Sequence, residues 1–241
     1  MHRVAAIVVA LLIGSAVAFG APEWRAPTTL PVQATTALSS SLDAATRHGS
    51  HVWRDTPPIN ADGTVNGYVE IARGDRRKWE FDMGANRRAV DRTLPASVGG
   101  YPVNYGFVPQ TVSYDGDPFD VLVLGPPIEG GRLVRGVIVG LMRMEDEKGL
   151  DSKVVISPAG ADHRPLHALT SDEQERIGEY FRRYKAHEQG KFSQVPGWGD
   201  AAEGLSYVTT THAFFTTCRN YTDSTCTLST YNTIKAVIVT R

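Results

Sequence analysis

The sequence predicts a mainly β protein with flanking helices, an α+β fold built on a small barrel. Short segments rich in β-branched residues recur between residues 67 and 156, separated by Gly or Pro. This spacing is typical of short antiparallel strands that close into a barrel. A later segment, residues 171–189, has the apolar periodicity of an amphipathic helix. Its positions i, i+3, i+4 and i+7 are Ile177, Tyr180, Phe181 and Tyr184.

The individual elements follow from their local patterns. Apolar runs and alternations predict strands at residues 68–71, 78–82, 89–92, 121–124, 132–143 and 154–156. A capping box at Ser171–Gln174 begins the helix, and Gly190 is placed to end it. The sequence of residues 205–241 predicts a short helix around residues 207–215, then a hairpin, then a strand at 234–240.

Composition sets the broad class of the protein. The chain has 241 residues, of which 41% are hydrophobic and 21% charged, which is typical of one globular domain with extensions. The net charge is −1. The chain therefore lacks the basic surface expected of a nucleic-acid-binding protein.

The N-terminus reads as a secretory signal. A short basic head precedes the apolar run from Val4 to Ala18, which closes with an A-x-A cleavage site. An uncleaved membrane anchor is the alternative interpretation. We expect an exported protein, periplasmic or secreted, with no stable membrane insertion after cleavage. The expected organisation is a signal peptide at 1–18, an N-terminal arm or linker at 19–64, the barrel domain with its helices at 65–215 and a tail at 216–241.

The two cysteines, Cys218 and Cys226, lie close together in the tail. The segment between them is polar and turn-like, and an exported protein meets oxidising conditions. These features favour a disulfide that closes a small hairpin. A metal pair or a catalytic thiol is the alternative, but no His or Cys cluster surrounds the pair.

The acidic segment from Asp115 to Asp120 is the strongest indication of function in the sequence. Three carboxylates fall within six residues, on Asp-Gly and Asp-Pro turns that lead directly into the strand at 121–124. Anions this close repel one another unless cations neutralise them, and oxygen ligands without Cys or His suit Mg²⁺ or Mn²⁺. A polar hairpin turn is the simpler alternative. A calcium EF-loop fails on spacing, because its sixth and twelfth positions would be Asp120 and Pro126.

A second acidic segment, residues 145–153, leads into the strand at 154–156. Taken alone, it is a charged hairpin loop. Together with the first segment, it indicates two acidic loops that meet at one mouth of a barrel. His163 and His167 have no adjacent ligand motif, and we interpret them as ordinary histidines.

Seven separated motifs carry a family resemblance across residues 65–200. The chain resembles the family I soluble inorganic pyrophosphatases, in a bacterial form with an export signal. The matching segments are Asp115–Val121 (D-G-D-P-x-D-V), Tyr101–Gly106 (Y-P-x-N-Y-G), Val90–Arg92 (V-D-R), Asp146 with Asp151 and Lys153 (D-x4-D-x-K), Tyr184–Lys185 (Y-K), Gly197–Trp198 (G-W), and Glu70 with Lys78 and Glu80 on the first two strands.

The resemblance implies an OB-like five-stranded β-barrel and the hydrolysis of inorganic pyrophosphate to two phosphates with Mg²⁺. It further implies Mn²⁺ or Zn²⁺ as substitute cations, inhibition by Ca²⁺, and a homo-oligomer, since bacterial members are often hexameric. Pyrophosphate is then the small-molecule partner.

The resemblance also assigns roles to residues. Asp115, Asp120 and Asp151 would hold the tightest metal, and Asp120 also the second. Asp117 would be the catalytic base. Three further acids complete the metal set: Asp146, Glu80 and, through water, Glu70. The substrate-binding side chains would be Lys78, Arg92, Tyr105, Lys153, Tyr184 and Lys185.

The chain departs from the bacterial pattern in a few places. The hairpin between Glu70 and Lys78 is one residue shorter, and the span from Arg92 to Tyr101 one longer. The export signal and the cysteine-bearing tail are also unusual. An alternative function is therefore a non-catalytic extracytoplasmic module that binds divalent metal and phosphate. A relaxed phosphohydrolase acting on polyphosphate or nucleotides is a third reading.

Overall fold

The computed structural model describes residues 51–83, 85–113 and 115–218. Its helices are α1 (Val52–Asp55), α2 (Ser171–Arg183) and α3 (Ala201–Cys218). Its strands are β1 (Val65–Ile71), β2 (Arg77–Asp82), β3 (Arg87–Thr93), β4 (Asn104–Phe107), β5 (Asp120–Val123), β6 (Leu133–Asp146), β7 (Gly149–Leu150), β8 (Lys153–Pro158) and β9 (Ser193–Gly199).

Five strands close into a ring in the order β1, β4, β5, β8, β6 and back to β1. Tyr68 pairs with Phe107 on one side of β1, and Val65 pairs with Gly136 on the other. Strands β7 and β9 extend the sheet along β6. The predicted mainly β fold with flanking helices and a five-stranded barrel is confirmed.

One pairing differs from the expected antiparallel pattern. β5 and β8 run parallel, with Val121 opposite Val154. The long strand β6 makes this possible, because it returns across the barrel and pairs antiparallel with β8. Parallel neighbours begin at the same end of a sheet. Asp120 and Lys153, which start the two strands, therefore lie side by side at one mouth of the barrel.

Apolar residues of the ring strands pack on both faces of the sheet. In β5, Val121 and Val123 belong to one core cluster, together with Val208 of α3. The intervening Leu122 belongs to a second cluster, together with Ile177 of α2. The unbroken apolar run after the acidic corner thus reflects a strand covered on both faces.

The β2–β3 hairpin forms a separate two-stranded sheet beside the barrel, in which Lys78 pairs with Arg92. Arg88 links it to the barrel. Its guanidinium lies 4.1 Å from the centre of the Trp79 ring and donates a hydrogen bond of 2.5 Å to the Glu70 carbonyl. The charged face of the hairpin is thereby held against β1.

Helix α2 differs from its predicted bounds at both ends. Its N-cap is Thr170, not Ser171, and the Thr170 hydroxyl accepts the Glu173 N–H at 3.2 Å. It ends at Arg183, well before Gly190. Turns with i→i+3 bonds follow, such as Glu188 N–H to the Lys185 carbonyl. The predicted apolar stripe is confirmed, because all four of its side chains are buried.

The terminal segments flank the barrel. The described part of the arm, residues 51–64, includes the short helix α1, which the sequence did not predict, and Ile59 bridges Val65. Helix α3 is longer than the predicted 207–215. The signal peptide, Cys226, the side chain of Cys218 and the predicted strand at 234–240 lie outside the described residues. Within the described chain, no helix is both long and apolar enough to cross a bilayer.

Gly106 is the tightest point of the β1–β4 pairing. A Cβ there would lie 1.8 Å from the Tyr68 carbonyl oxygen, whereas a Cβ at Gly197 would meet only a side-chain atom at 3.7 Å. We expect Gly106→Ala to lower the free energy of unfolding by about 3 kcal/mol. Gly197→Ala should change it by less than about 1 kcal/mol. Urea unfolding measures both, and equal effects would contradict the close approach.

Candidate active site

The two acidic loops meet around one buried lysine. The Lys153 ammonium lies 2.5 Å from Asp120 Oδ2 and 2.8 Å from Asp151 Oδ1. Its side chain is 1% exposed. Because Asp120 starts β5 and Lys153 starts β8, the parallel pairing of these strands builds the contact. The predicted meeting of the two loops at a barrel mouth is observed.

A cavity of about 440 Å³ opens at this mouth. Twelve of the thirteen side chains predicted from the sequence line it. They are Glu70, Lys78, Glu80, Arg92, Tyr105, Asp115, Asp117, Asp120, Asp146, Asp151, Tyr184 and Lys185. The thirteenth, Lys153, contacts the cavity-lining Asp120 and Asp151. Residues spread from β1 to the end of α2 therefore converge on one space.

The basic side chains at the cavity are paired with acids. Lys185 Nζ lies 2.5 Å from Asp146 Oδ2, and 3.2 Å from Glu147. On the β2–β3 hairpin, Lys78 Nζ lies 2.5 Å from Glu80 Oε1. The wall therefore carries both signs of charge, so it can accept cations and an anion together.

Several carboxyls resist ionisation. Burial, and then the charge of Asp120, raises the pKa of Glu70 to about 8. Burial, and then Asp115 and Asp120, raises the pKa of Asp117 to about 6. Burial raises the pKa of Asp151 to about 6 although Lys153 opposes it. Burial is the main cause in all three cases, and neighbouring carboxylates add to it, so a cation bound at the mouth would favour the ionised forms.

Other groups at the cavity keep one protonation state near neutrality. Burial works to raise the pKa of Asp146, but hydrogen bonds from Lys185 and from the Lys148 backbone outweigh it and lower the value. Burial holds the pKa values of Tyr105 and Tyr184 well above their usual range. Both phenols therefore stay neutral and can donate a hydrogen bond to an anion.

The donor set fits hard divalent cations. All the acids at the cavity offer carboxylate oxygens, the ligands that Mg²⁺ prefers. Among the described residues, no three His, Cys, Asp or Glu side chains already stand in a ligand arrangement. Lysine ammonium groups hold Asp120, Asp151 and Asp146 instead.

The sequence reasoning missed several residues at this mouth. Glu188 lies 3.0 Å from Arg92 and 2.8 Å from Lys191, which also lines the cavity. Tyr207 of α3 lines it too and stacks on Phe119 at 5.8 Å. Glu188 and Arg92 lie 96 residues apart, and no local pattern connects them.

A closed barrel whose mouth carries both carboxylates and basic side chains suits a protein of the class that binds divalent cations together with a small anion. A sequence model described as inorganic pyrophosphatase matches residues 67–216. The chain belongs to this family, as its motifs predicted.

Curated relatives and solved structures agree. The inorganic pyrophosphatase of Aeropyrum pernix is 40% identical over 159 residues, covering 63% of this chain and 90% of that protein. That of Xanthomonas axonopodis pv. citri is 39% identical over 158 residues, covering 62% and 88%. The Thermus thermophilus enzyme superposes with a TM-score of 0.63 at 34% identity, covering 69% of this chain and 99% of that structure. These neighbours confirm the OB-like barrel.

The raised pKa values predict how metal-free stability depends on pH. Between about pH 8 and pH 6.5, folded Glu70, Asp117 and Asp151 bind more protons than the unfolded chain, so lowering the pH raises the free energy of unfolding. We expect a gain of roughly 2 kcal/mol in EDTA. The window stops there because burial lowers the pKa of His167, which opposes the trend at lower pH.

Urea unfolding at the two pH values measures this difference. Excess Mg²⁺ should stabilise the protein more at the higher pH, because cations bind the ionised carboxylates. A metal-free protein that is more stable at the higher pH would contradict the raised pKa values of these carboxyls.

Proposed function

We propose that this chain hydrolyses inorganic pyrophosphate to two phosphates in a Mg²⁺-dependent reaction. One observation carries the proposal: acidic, basic and phenolic side chains from six separate motifs line a single cavity. The curated relatives carry the name inorganic pyrophosphatase, which supports the same substrate here.

Both signs of charge are needed because pyrophosphate is a compact polyanion. A nucleophile is repelled until the charge of the substrate is neutralised, and phosphoryl transfer depends mainly on positioning and electrostatics. When bound, divalent cations neutralise the phosphates and lower the pKa of water toward neutrality. A protein that only captured cations would need no basic wall.

The acids of this chain divide into holders of metal and one acceptor of a proton. Asp115, Asp120 and Asp151 would hold the activating cations. Asp146 and Glu80 would hold those that enter with the substrate, and Glu70 would act through water. Asp117 would take the proton of the attacking water. Its pKa of about 6 leaves it mostly ionised at neutral pH and still basic enough for this role.

The basic and phenolic side chains would grip the phosphates. Lys78 and Arg92 reach the cavity from the β2–β3 hairpin, and Lys185 from the turn after α2. Tyr105 and Tyr184 add neutral hydroxyl donors. Lys153 would contact an incoming phosphate oxygen in place of Asp120, and Lys185 would do so in place of Asp146. Each acid now paired with a lysine would then be free to hold a cation.

The alternative is a non-catalytic module that captures divalent metal and phosphate outside the cytoplasm. Calorimetry separates the two functions, because a binding module saturates whereas an enzyme continues to release heat of reaction. A panel of polyphosphates and nucleotides separates a relaxed phosphohydrolase from both.

Phosphate release from pyrophosphate tests the function. We expect Mg²⁺ to support rapid release, Mn²⁺ or Zn²⁺ to substitute, and Ca²⁺ to suppress it. Asp117→Asn should lower the rate by about 10²–10⁴-fold, the contribution of a positioned general base, yet keep the stabilisation by Mg²⁺. Asp162→Asn, at an exposed loop aspartate, is the matched control and should keep full activity.

Full activity of Asp117→Asn would remove Asp117 from the base role. A folded wild-type protein that binds Mg²⁺ but releases no phosphate would favour the binding module.

We also propose that the chain is exported and that Cys218 and Cys226 form a disulfide. The basic and apolar N-terminal segment, the A-x-A site and the polar segment between the cysteines support this. After cleavage, the mature protein would begin at residue 19 and have no membrane anchor.

The intact mass of the exported protein tests both features at once. We expect the mass of residues 19–241 less two hydrogen atoms, and a gain of these two atoms on reduction. The mass of the full chain would indicate an uncleaved anchor, and an unchanged mass on reduction would refute the disulfide.

A further inference from the structure

Both terminal helices bind the loop that carries Asp115 and Asp117. The base of this loop is the segment at residues 110–112, which we call the loop stem. Its backbone groups bond to α1 on one side and to α3 on the other. The matched family region begins at residue 67, so α1 lies before it.

Helix α1 makes its contacts through its second residue and its third. The Trp53 indole Nε1 donates to the Thr111 carbonyl at 3.0 Å, and the Gln110 N–H donates to the Trp53 carbonyl at 2.8 Å. The Gln110 side-chain amide donates to the Arg54 carbonyl at 2.8 Å. Gln110 has a φ of 50°, a left-handed conformation that costs free energy unless its surroundings hold it.

Helix α3 also forms hydrogen bonds with the loop stem. His212 Nδ1 donates to the Gln110 carbonyl at 2.7 Å, which requires the ring proton to be on Nδ1 because a carbonyl only accepts. The Val112 N–H donates to the Thr211 carbonyl at 3.0 Å. The two helices also touch each other, since the rings of Trp53 and Phe215 meet edge to face at 5.0 Å.

Hydrogen bonds connect the loop stem to the part of the loop that carries Asp115 and Asp117. The Thr111 hydroxyl donates to the Val108 carbonyl at 2.6 Å and accepts the Phe119 N–H at 2.9 Å, so it joins the two ends of the loop. Within the loop, the Ser113 N–H donates to the Asp117 carbonyl at 2.6 Å. A shift of the stem would therefore move the carboxylates of the loop relative to the barrel.

We propose that Trp53 and His212 are positioning residues that hold this loop so that Asp115 and Asp117 face the cavity. The inference rests on the proposed pyrophosphatase function. The phosphate-binding side chains lie on other elements, so at saturating Mg²⁺ a shifted loop affects turnover more than KM for pyrophosphate. Small displacements of a catalytic group lower rates steeply.

Paired substitutions at both residues test the inference. Trp53→Phe keeps the ring contact with Phe215 but removes the indole N–H, whereas Trp53→Ala removes both. His212→Asn keeps a donor near the Nδ1 position, whereas His212→Ala does not. We expect kcat to fall about tenfold in the two alanine variants and about threefold in Trp53→Phe, with KM for pyrophosphate within about twofold. His212→Asn should restore most of the loss.

Arg143→Met is the matched control, because Arg143 fixes the opposite end of α3. It bonds to Glu203 and donates to the Trp198 carbonyl at 2.7 Å. This variant loosens the same helix without touching the loop stem, so its kcat should stay within about twofold of wild type.

Hydrogen exchange of residues 108–119 gives a readout that does not depend on activity. The Gln110 and Val112 amides should exchange faster in Trp53→Ala than in Arg143→Met at equal overall stability. Unchanged kcat in both alanine variants, or losses shared equally by the Arg143 control, would overturn the inference. A wild-type protein without phosphate release would instead refute the proposed function, and hydrogen exchange would still report on the loop.

Discussion

The buried contact of Lys153 with Asp120 and Asp151 is the constraint on which the site depends. Burying an ammonium is costly unless it is paired, so the contact of Lys153 with both acids holds the two acidic loops together at the mouth. Burial opposes the charge of Lys153, but both acids more than compensate and raise its pKa. The contact thus neutralises part of the repulsion between the carboxylates at the mouth.

Much of the fold followed from local sequence, because its strands are short and closely spaced. The apolar run after Asp120 identified β5, and the spacing of Ile177, Phe181 and their neighbours identified the buried face of α2. The predicted end of α2 was wrong. The helix ends at Arg183, and Lys185, which the pattern placed within it, turns inward to Asp146. The parallel partner of β5 was missed because strand order is set by long-range pairing, which no periodicity reveals.

The candidate site likewise has a part that the sequence predicts and a part that it does not. Its acids and phosphate-binding side chains stand in compact motifs, and the structure brings twelve of them to one cavity. The supporting contacts are spread along the chain. Trp53 lies 58 residues from Thr111, and His212 lies 102 residues from Gln110. Such pairs depend on the closed barrel, so they can be found only once its topology is known.

Ring closure also sets the order in which this chain can fold. β1 needs β6 as its second neighbour, through Val65 and Gly136, and β8 must then enter between β5 and β6. Loop-closure entropy makes such distant pairings slow. The ring therefore cannot close until β8, which ends at Pro158, has been synthesised. A nascent chain that ends before β8 can neither close the ring nor bring Lys153 to Asp120.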